Sequence, residues 1–212
     1  MELKGKKINF LGDSITQGVG VSSPENKYVE VFAKKYELAL ARNYGISGTR
    51  IARQKNPTVS NPSFDKDFCS RVCEMDTDAD IVVVFGGTND FGHGDAPFGS
   101  FSDRTPDTFF GACHTLFTSI IERFPKSEVV VMTPIHRAVE DRENRPSLCK
   151  FVRAIREVAE FYSIPVLDLY KNSGIVPMLD VNRQTYAPDG LHPNDAGAKR
   201  IADRLGAFLQ SI

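Results

Sequence analysis

Apolar residues along the chain fall into two patterns that alternate. Short unbroken runs, "KINFLG" ending at Gly12, "LALARN" (38–43), "DIVVVFGG" (80–87), "EVVVMTP" (128–134) and "PVLDL" (165–169), read as strands. They are rich in β-branched residues, do not alternate with polar ones and are bounded by turn residues, as strands buried on both faces are. Longer segments between them carry apolar positions three and four apart. Cys113, Leu116, Phe117, Ile120, Ile121 and Phe124 make one such stripe. Leu148, Phe151, Val152, Ile155, Val158 and Tyr162 make a second, and Ile201, Leu205, Phe208 and Leu209 a third. These stripes are the core faces of amphipathic helices. Ser23-Pro24 reads as an N-cap with proline at the first helical position, opening a helix to about Tyr36.

Strand–helix alternation implies a parallel sheet with helices on both faces, because parallel neighbours need crossover connections. Five strands predict a three-layer α/β/α, flavodoxin-like fold with a central five-stranded parallel sheet. No linker, repeat or low-complexity run divides residues 1–212, so one domain is expected. The least regular stretches are 52–64, 91–107 and 171–188.

Composition adds constraints. The sequence is 41% hydrophobic and 25% charged, enough apolar material for a sizeable core. Lys+Arg 26 balance Asp+Glu 27 for a net charge of −1, which points away from nucleic acid and anionic membrane surfaces. No apolar run reaches membrane-spanning length. "MELKGKKINF" enters a strand at once and leaves no space for a signal peptide, so with Met1 as the native start a cytoplasmic protein is expected. Four cysteines are too few for a disulfide scaffold. Cys69 and Cys73 in "FCSRVC" would share one helix face, but a metal site there lacks a second ligand pair. They read instead as small side chains packed inward beside Phe68 and Val72.

In an open parallel sheet, ligands bind beyond the carboxyl ends of the strands. Ser14 follows the first strand, "NYGISGTR" with Gly45 and Gly48 the second, and "GGTND" with Asn89 and Asp90 the third. "TPIHR" with His136 and Arg137 follows the fourth, and "DGLHPND" with Asp189 and His192 precedes the last helix. A serine hydroxyl needs an adjacent base, an imidazole supplies one, and a carboxylate on the other ring nitrogen fixes its tautomer. A developing oxyanion needs preorganised donors. The backbone N–H groups of Ser14 and Gly48 and the side-chain amide of Asn89 are available at the same edge.

The sequence resembles the SGNH (GDSL) hydrolase superfamily. "GDSITQG" is similar to its first block, with isoleucine where leucine is common. "GISG" is similar to the second block, "GGTND" to the third and "DGLHPN" to the last, in order over almost the whole chain. The resemblance implies Ser14 as nucleophile, His192 and Asp189 as base and partner, and Ser14, Gly48 and Asn89 as oxyanion donors. It also implies the flavodoxin-like fold. "GDSIT" is not the G-x-S-x-G elbow of α/β-hydrolases, since Thr16 stands at the last glycine position.

The expected activity is hydrolysis of carboxylic esters, with short-acyl or acetyl esters of small molecules or sugars as substrates and no cofactor or metal required. A thioesterase or lysophospholipase on the same residues is the alternative. A non-catalytic module binding phosphate at the Ser14 loop is a further one, although that loop runs on through Gly20 to Ser23 before a helix cap and leaves Asp189 and His192 without a task. Loop 90–108, with Phe91, Phe98 and Phe101, is expected either to wall the pocket or to cover the core. Arg137 is a candidate for a substrate carboxylate or phosphate, or for a surface ion pair; His93 reads as a surface residue and His114 as structural. Oligomeric state is left open.

Overall fold

The computed structural model describes residues 1–212. Five parallel strands form one sheet in the order β2-β1-β3-β4-β5: β1 Lys7–Gly12, β2 Leu40–Gly45, β3 Ile81–Phe85, β4 Glu128–Met132 and β5 Val166–Leu167. The helices are α1 Ser14–Gln17, α2 Tyr28–Lys35, α3 Phe68–Arg71, α4 Thr88–His93, α5 Phe109–Arg123, α6 Leu148–Phe161, α7 Leu169–Asn172, α8 Asp180–Tyr186 and α9 Asp195–Ser211. This is the predicted α/β architecture. The order doubles back at β1, where β2 and β3 flank it, and the carboxyl ends of β1 and β3 open onto the crevice where such sheets bind ligands.

The sheet separates two cores. Leu11, Val82, Val84, Val129 and Val131 point to one face, under Phe68 of α3 and the stripes of α5 and α6. Ile8, Phe10, Ile81, Val83, Phe85, Val130 and Met132 point to the other, under α2 and α9. Alternate residues of β3 and β4 thus serve opposite layers, which is why those strands are apolar without interruption. No helix is long and apolar enough to cross a membrane.

Several boundaries differ from the sequence expectation, each for a local reason. β2 begins two residues late because Glu37 turns the chain with φ 50°. It is also an edge strand and half-exposed, so it is not buried on both faces. β5 is only two residues long, because Asp168 leaves the strand to cap α7 through the Lys171 N–H at 3.1 Å. Ser23-Pro24 opens a 3₁₀ turn, Pro24–Asn26, and the α-helix waits until Tyr28. α3 gives way to a 3₁₀ turn at Val72–Glu74, so Cys69 and Cys73 do not share a face. Cys69 is half-buried against Ile51 and Ala112, whereas Cys73 is exposed and not packed inward.

Candidate active site

The chain leaves β1 at Gly12 and enters α1 one residue later. A side chain at Gly12 would collide with Thr16 Oγ1, and one at Gly45 would strike the backbone N of Gln17. The two glycines therefore let α1 sit directly on the ends of β1 and β2. Asp13 caps it, its Oδ1 accepting from the Ile15 N–H at 3.0 Å. Ser14 is the first helical residue. The helix here is what the sequence did not reveal: a four-residue element has no periodicity to read, and the expected loop to Ser23 opens with this turn of helix and turns irregular only from Gly18.

His192 Nε2 lies 3.1 Å from Ser14 Oγ, across 178 positions of sequence. Its Nδ1 lies 2.6 Å from Asp189 Oδ2. The other carboxylate oxygen of Asp189 accepts the N–H groups of Leu191 at 2.9 Å and His192 at 2.7 Å. Partial desolvation works against ionisation of Asp189, but the His192 ring and these two N–H groups outweigh it and hold its carboxyl below its usual range. An ionised carboxylate only accepts, so Nδ1 carries the proton and Nε2 is left to accept from the Ser14 hydroxyl. An alcohol paired in this way can be deprotonated as it attacks a carbonyl.

Gly190 has φ 82°, in the left-handed region that favours glycine, and this turns the chain between Asp189 and His192. Its carbonyl accepts the Ala138 N–H at 2.8 Å, fastening the turn to the segment after β4. On the other flank, a side chain at Gly20 would meet Pro193 O and the His192 side chain.

The predicted oxyanion donors occupy the same edge. Gly48 is buried with φ 77°, and its N–H, like that of Ser14, donates to no backbone carbonyl. Asn89 is at the second position of α4, where its Nδ2 donates one hydrogen to Thr49 O at 2.9 Å. That bond joins the Gly48 segment to α4 and leaves the second amide hydrogen available.

A layer of buried charge lies beneath these groups, and the sequence reading gave it no task. Arg71, 2% exposed, donates to Tyr44 O at 2.6 Å, Gly12 O at 3.1 Å, Thr49 Oγ1 at 3.0 Å and Lys66 O at 3.1 Å. It ties the ends of β1 and β2 to the strip that carries Gly48. Burial lowers its pKa to about 10, an effect that Asp13 opposes. Asp90 accepts from the N–H groups of Ile51 at 3.0 Å and Ala52 at 2.9 Å, and burial raises its pKa to about 6. Burial, with Asp90 nearby, raises Asp13 to about 7, and its Oδ2 has no partner. Asp13 and Asp90 stand inside the very motifs "GDS" and "GGTND". Nothing in periodicity marks a buried carboxylate, and only the unusual apolar context of each motif could have signalled it.

The remaining candidates separate. Residues 90–93 of the expected loop 90–108 belong to α4. Phe91 is fully buried, and Phe98 packs against Phe109, Phe110 and Phe151 at 5.9, 5.3 and 5.0 Å, so the loop aromatics cover the core. His114 is buried and bonded to Tyr162 OH at 2.9 Å. His136 pairs with Glu140 at 2.7 Å, while Arg137 reaches Thr88 O at 2.9 Å.

The sequence profile of the GDSL-like lipase/acylhydrolase family matches residues 10–200. The chain belongs to this family. No curated protein matches the sequence. Solved structures match along its whole length. A protein of Lactobacillus plantarum is 28% identical, with a TM-score of 0.87 over 99% of this chain and 98% of its own. A lipase/acylhydrolase of Enterococcus faecalis is 22% identical, with a TM-score of 0.65 over 97% and 96%. An acetyl xylan esterase is 22% identical, with a TM-score of 0.64 over 95% and 98%. The fold and the coarse activity of a GDSL-like family member, a hydrolase of ester substrates, follow from this membership.

Proposed function

We propose that this GDSL-like family member is a serine hydrolase that cleaves short-acyl carboxylic esters of small molecules through an acyl-enzyme on Ser14. The observation that carries the reading is the 3.1 Å approach of His192 Nε2 to Ser14 Oγ, with Asp189 2.6 Å from the opposite ring nitrogen. His192 takes the hydroxyl proton as Oγ bonds to the ester carbon. The carbonyl oxygen becomes an oxyanion, received by the N–H groups of Ser14 and Gly48 and the free amide hydrogen of Asn89. Collapse breaks the bond to the alcohol, which leaves with the proton from His192. Water then gives its proton to His192 and attacks the acyl carbon, releasing the acid and restoring Ser14.

Ser14 is only 2% exposed, so a bulky acyl chain would have to displace its neighbours. This favours short acyl groups over the long chain of a lysophospholipid. The phosphate-binding reading finds little support, since α1 has four residues and its N-terminus is already capped by a carboxylate. Because an acetyl xylan esterase shares the fold, acetylated sugars belong in the first substrate panel.

The test is hydrolysis of a panel varying acyl length and alcohol. Ser14→Ala is expected to lower kcat by about 10⁶, as loss of a triad nucleophile does, with an unchanged circular dichroism spectrum. Undiminished turnover in that variant rules the mechanism out.

A further inference from the structure

One turn beyond Asn89, α4 ends at His93 among guanidinium groups. Arg50, two residues after Gly48, brings Nη1 within 2.8 Å of His93 Nδ1. The guanidinium carbons of Arg137 and Arg142 lie 5.3 Å and 5.4 Å from the centroid of one ring, that of Phe91. Arg137 Nη1 also donates to Thr88 O, the carbonyl preceding Asn89, at 2.9 Å. Arg145 donates to the carbonyl of Gly94, just past the helix.

Only one of these four cations is answered. Arg50 meets Asp65 Oδ1 at 3.0 Å, whereas Arg137, Arg142 and Arg145 take part in no ion pair. Asp13 also acts on Arg137 but forms no ion pair with it, and the other neighbouring carboxylates are committed elsewhere. Glu140 is held by His136, the Arg137 N–H and Tyr170, and Asp90 by Ile51 and Ala52. Asp95 is held by Lys55 and Asn56, and Asp189 by Leu191 and His192. Asp141 and Glu143 share the segment of Arg142 but are exposed and form no ion pair. Desolvation and the charge of Arg142 both push the Arg137 pKa below its ordinary value. Desolvation of the inner edge of the His93 ring, with the charges of Arg50, Arg137, Arg142 and Arg145, lowers its pKa to about 4, so it stays neutral near pH 7.

Two guanidiniums held against one aromatic ring repel each other, and the ring's quadrupole offsets only part of that. A bound anion removes the conflict, and the planar forks of arginine suit carboxylate and phosphate oxygens. From this geometry we infer that Arg137, Arg142 and Arg145 form a subsite for an anionic group, carboxylate or phosphate, carried by the ester that is cleaved at Ser14. The inference rests on the ester-hydrolase reading and deepens it by naming the substrate class. Arg137 links the two regions, because its hydrogen bond to Thr88 O lies at the peptide beside the oxyanion donor Asn89.

The experiment compares matched esters in two arms. One places the charge on the acyl side, hemiglutarate against valerate esters of the same alcohol. The other places it on the alcohol side, with acetyl esters of glycolate and of ethylene glycol monophosphate against that of glycolamide. In at least one arm the anionic ester should show a kcat/KM about tenfold higher, the scale of one hydrogen bond to a charged group. Arg142→Gln should bring the ratio toward one, and added salt should reduce it. Calorimetry on Ser14→Ala should detect binding of free glutarate or inorganic phosphate, weakened in Ser14→Ala/Arg142→Gln. Equal cleavage of charged and neutral esters in both arms, or an undiminished ratio in Arg142→Gln, overturns the subsite. Anion binding through Arg142 without cleavage of any ester would support the subsite and overturn the hydrolase reading.

Discussion

The two halves of the site are held by different means. Ser14, Gly48 and Asn89 are buried, seated past the ends of β1, β2 and β3 and braced by Arg71 and by glycines whose replacement would strike neighbouring atoms. Asp189 and His192 belong to a surface turn, with the Asp189 side chain 54% exposed. That turn is shaped by its own hydrogen bonds and by one to Ala138. The hydroxyl is therefore fixed by the core and the base by local bonding. Chemistry and stability should then separate along this divide: damage to the exposed half costs catalysis with little effect on folding, and damage to the buried half costs both.

The sharpest break of that pattern comes from Asp189→Asn. It leaves the packing intact but presents an amide where Nδ1–H of His192 needs an acceptor. Its kcat on a short-acyl ester should fall by about 10⁴, the loss seen when a triad carboxylate is neutralised, with a melting temperature near that of the parent. A large drop in melting temperature would show that the turn is part of the structural core after all.

Asn89→Ala acts in the buried half. Removing one oxyanion donor should lower kcat by about 10²–10³. The same change strips Thr49 O of its donor in a buried setting, so stability should fall by about 1–3 kcal/mol. Steady-state kinetics and thermal unfolding on one preparation check both. A change confined to KM would make Asn89 a binding residue instead.

Asp13→Asn gives the smallest effect and is read through the pH dependence of stability. The folded pKa of Asp13, about 7, lies above its ordinary 3.8, so the folded state binds the extra proton between those values. Its contribution is most favourable below about pH 4 and is lost as pH rises through 7. Asparagine keeps an oxygen for the Ile15 N–H and never ionises. The variant should therefore lose less stability than the parent between about pH 4 and 7, on the order of a few degrees in melting temperature. Parallel curves for the two proteins would mean that Asp13 is ionised in the folded state throughout.

The same divide explains what the sequence disclosed. The apolar runs of β1, β3 and β4 and the stripes of α5, α6 and α9 are large, periodic signals, and they set the sheet and its two covering layers. The blocks around Ser14, Gly48, Asn89 and His192 were legible because each pairs a turn glycine with a polar group just past a strand or before a helix. The buried layer of Arg71, Asp13 and Asp90 was not, since charge ordinarily signals surface and only the three-dimensional arrangement supplies its partners. α1 escaped because four residues carry no period. Arg137 was marked by its place just past β4, but Arg142 and Arg145 escaped because the irregular segment between β4 and α6 that carries them has no period either.

The central claim is that the imidazole of His192 activates the hydroxyl of Ser14, and covalent labelling tests it most directly. A fluorophosphonate probe, located by peptide mass spectrometry, should modify Ser14 in the parent protein, and His192→Ala should lose nearly all of that labelling. Modification at another residue, or undiminished labelling of Ser14 in His192→Ala, would contradict the claim.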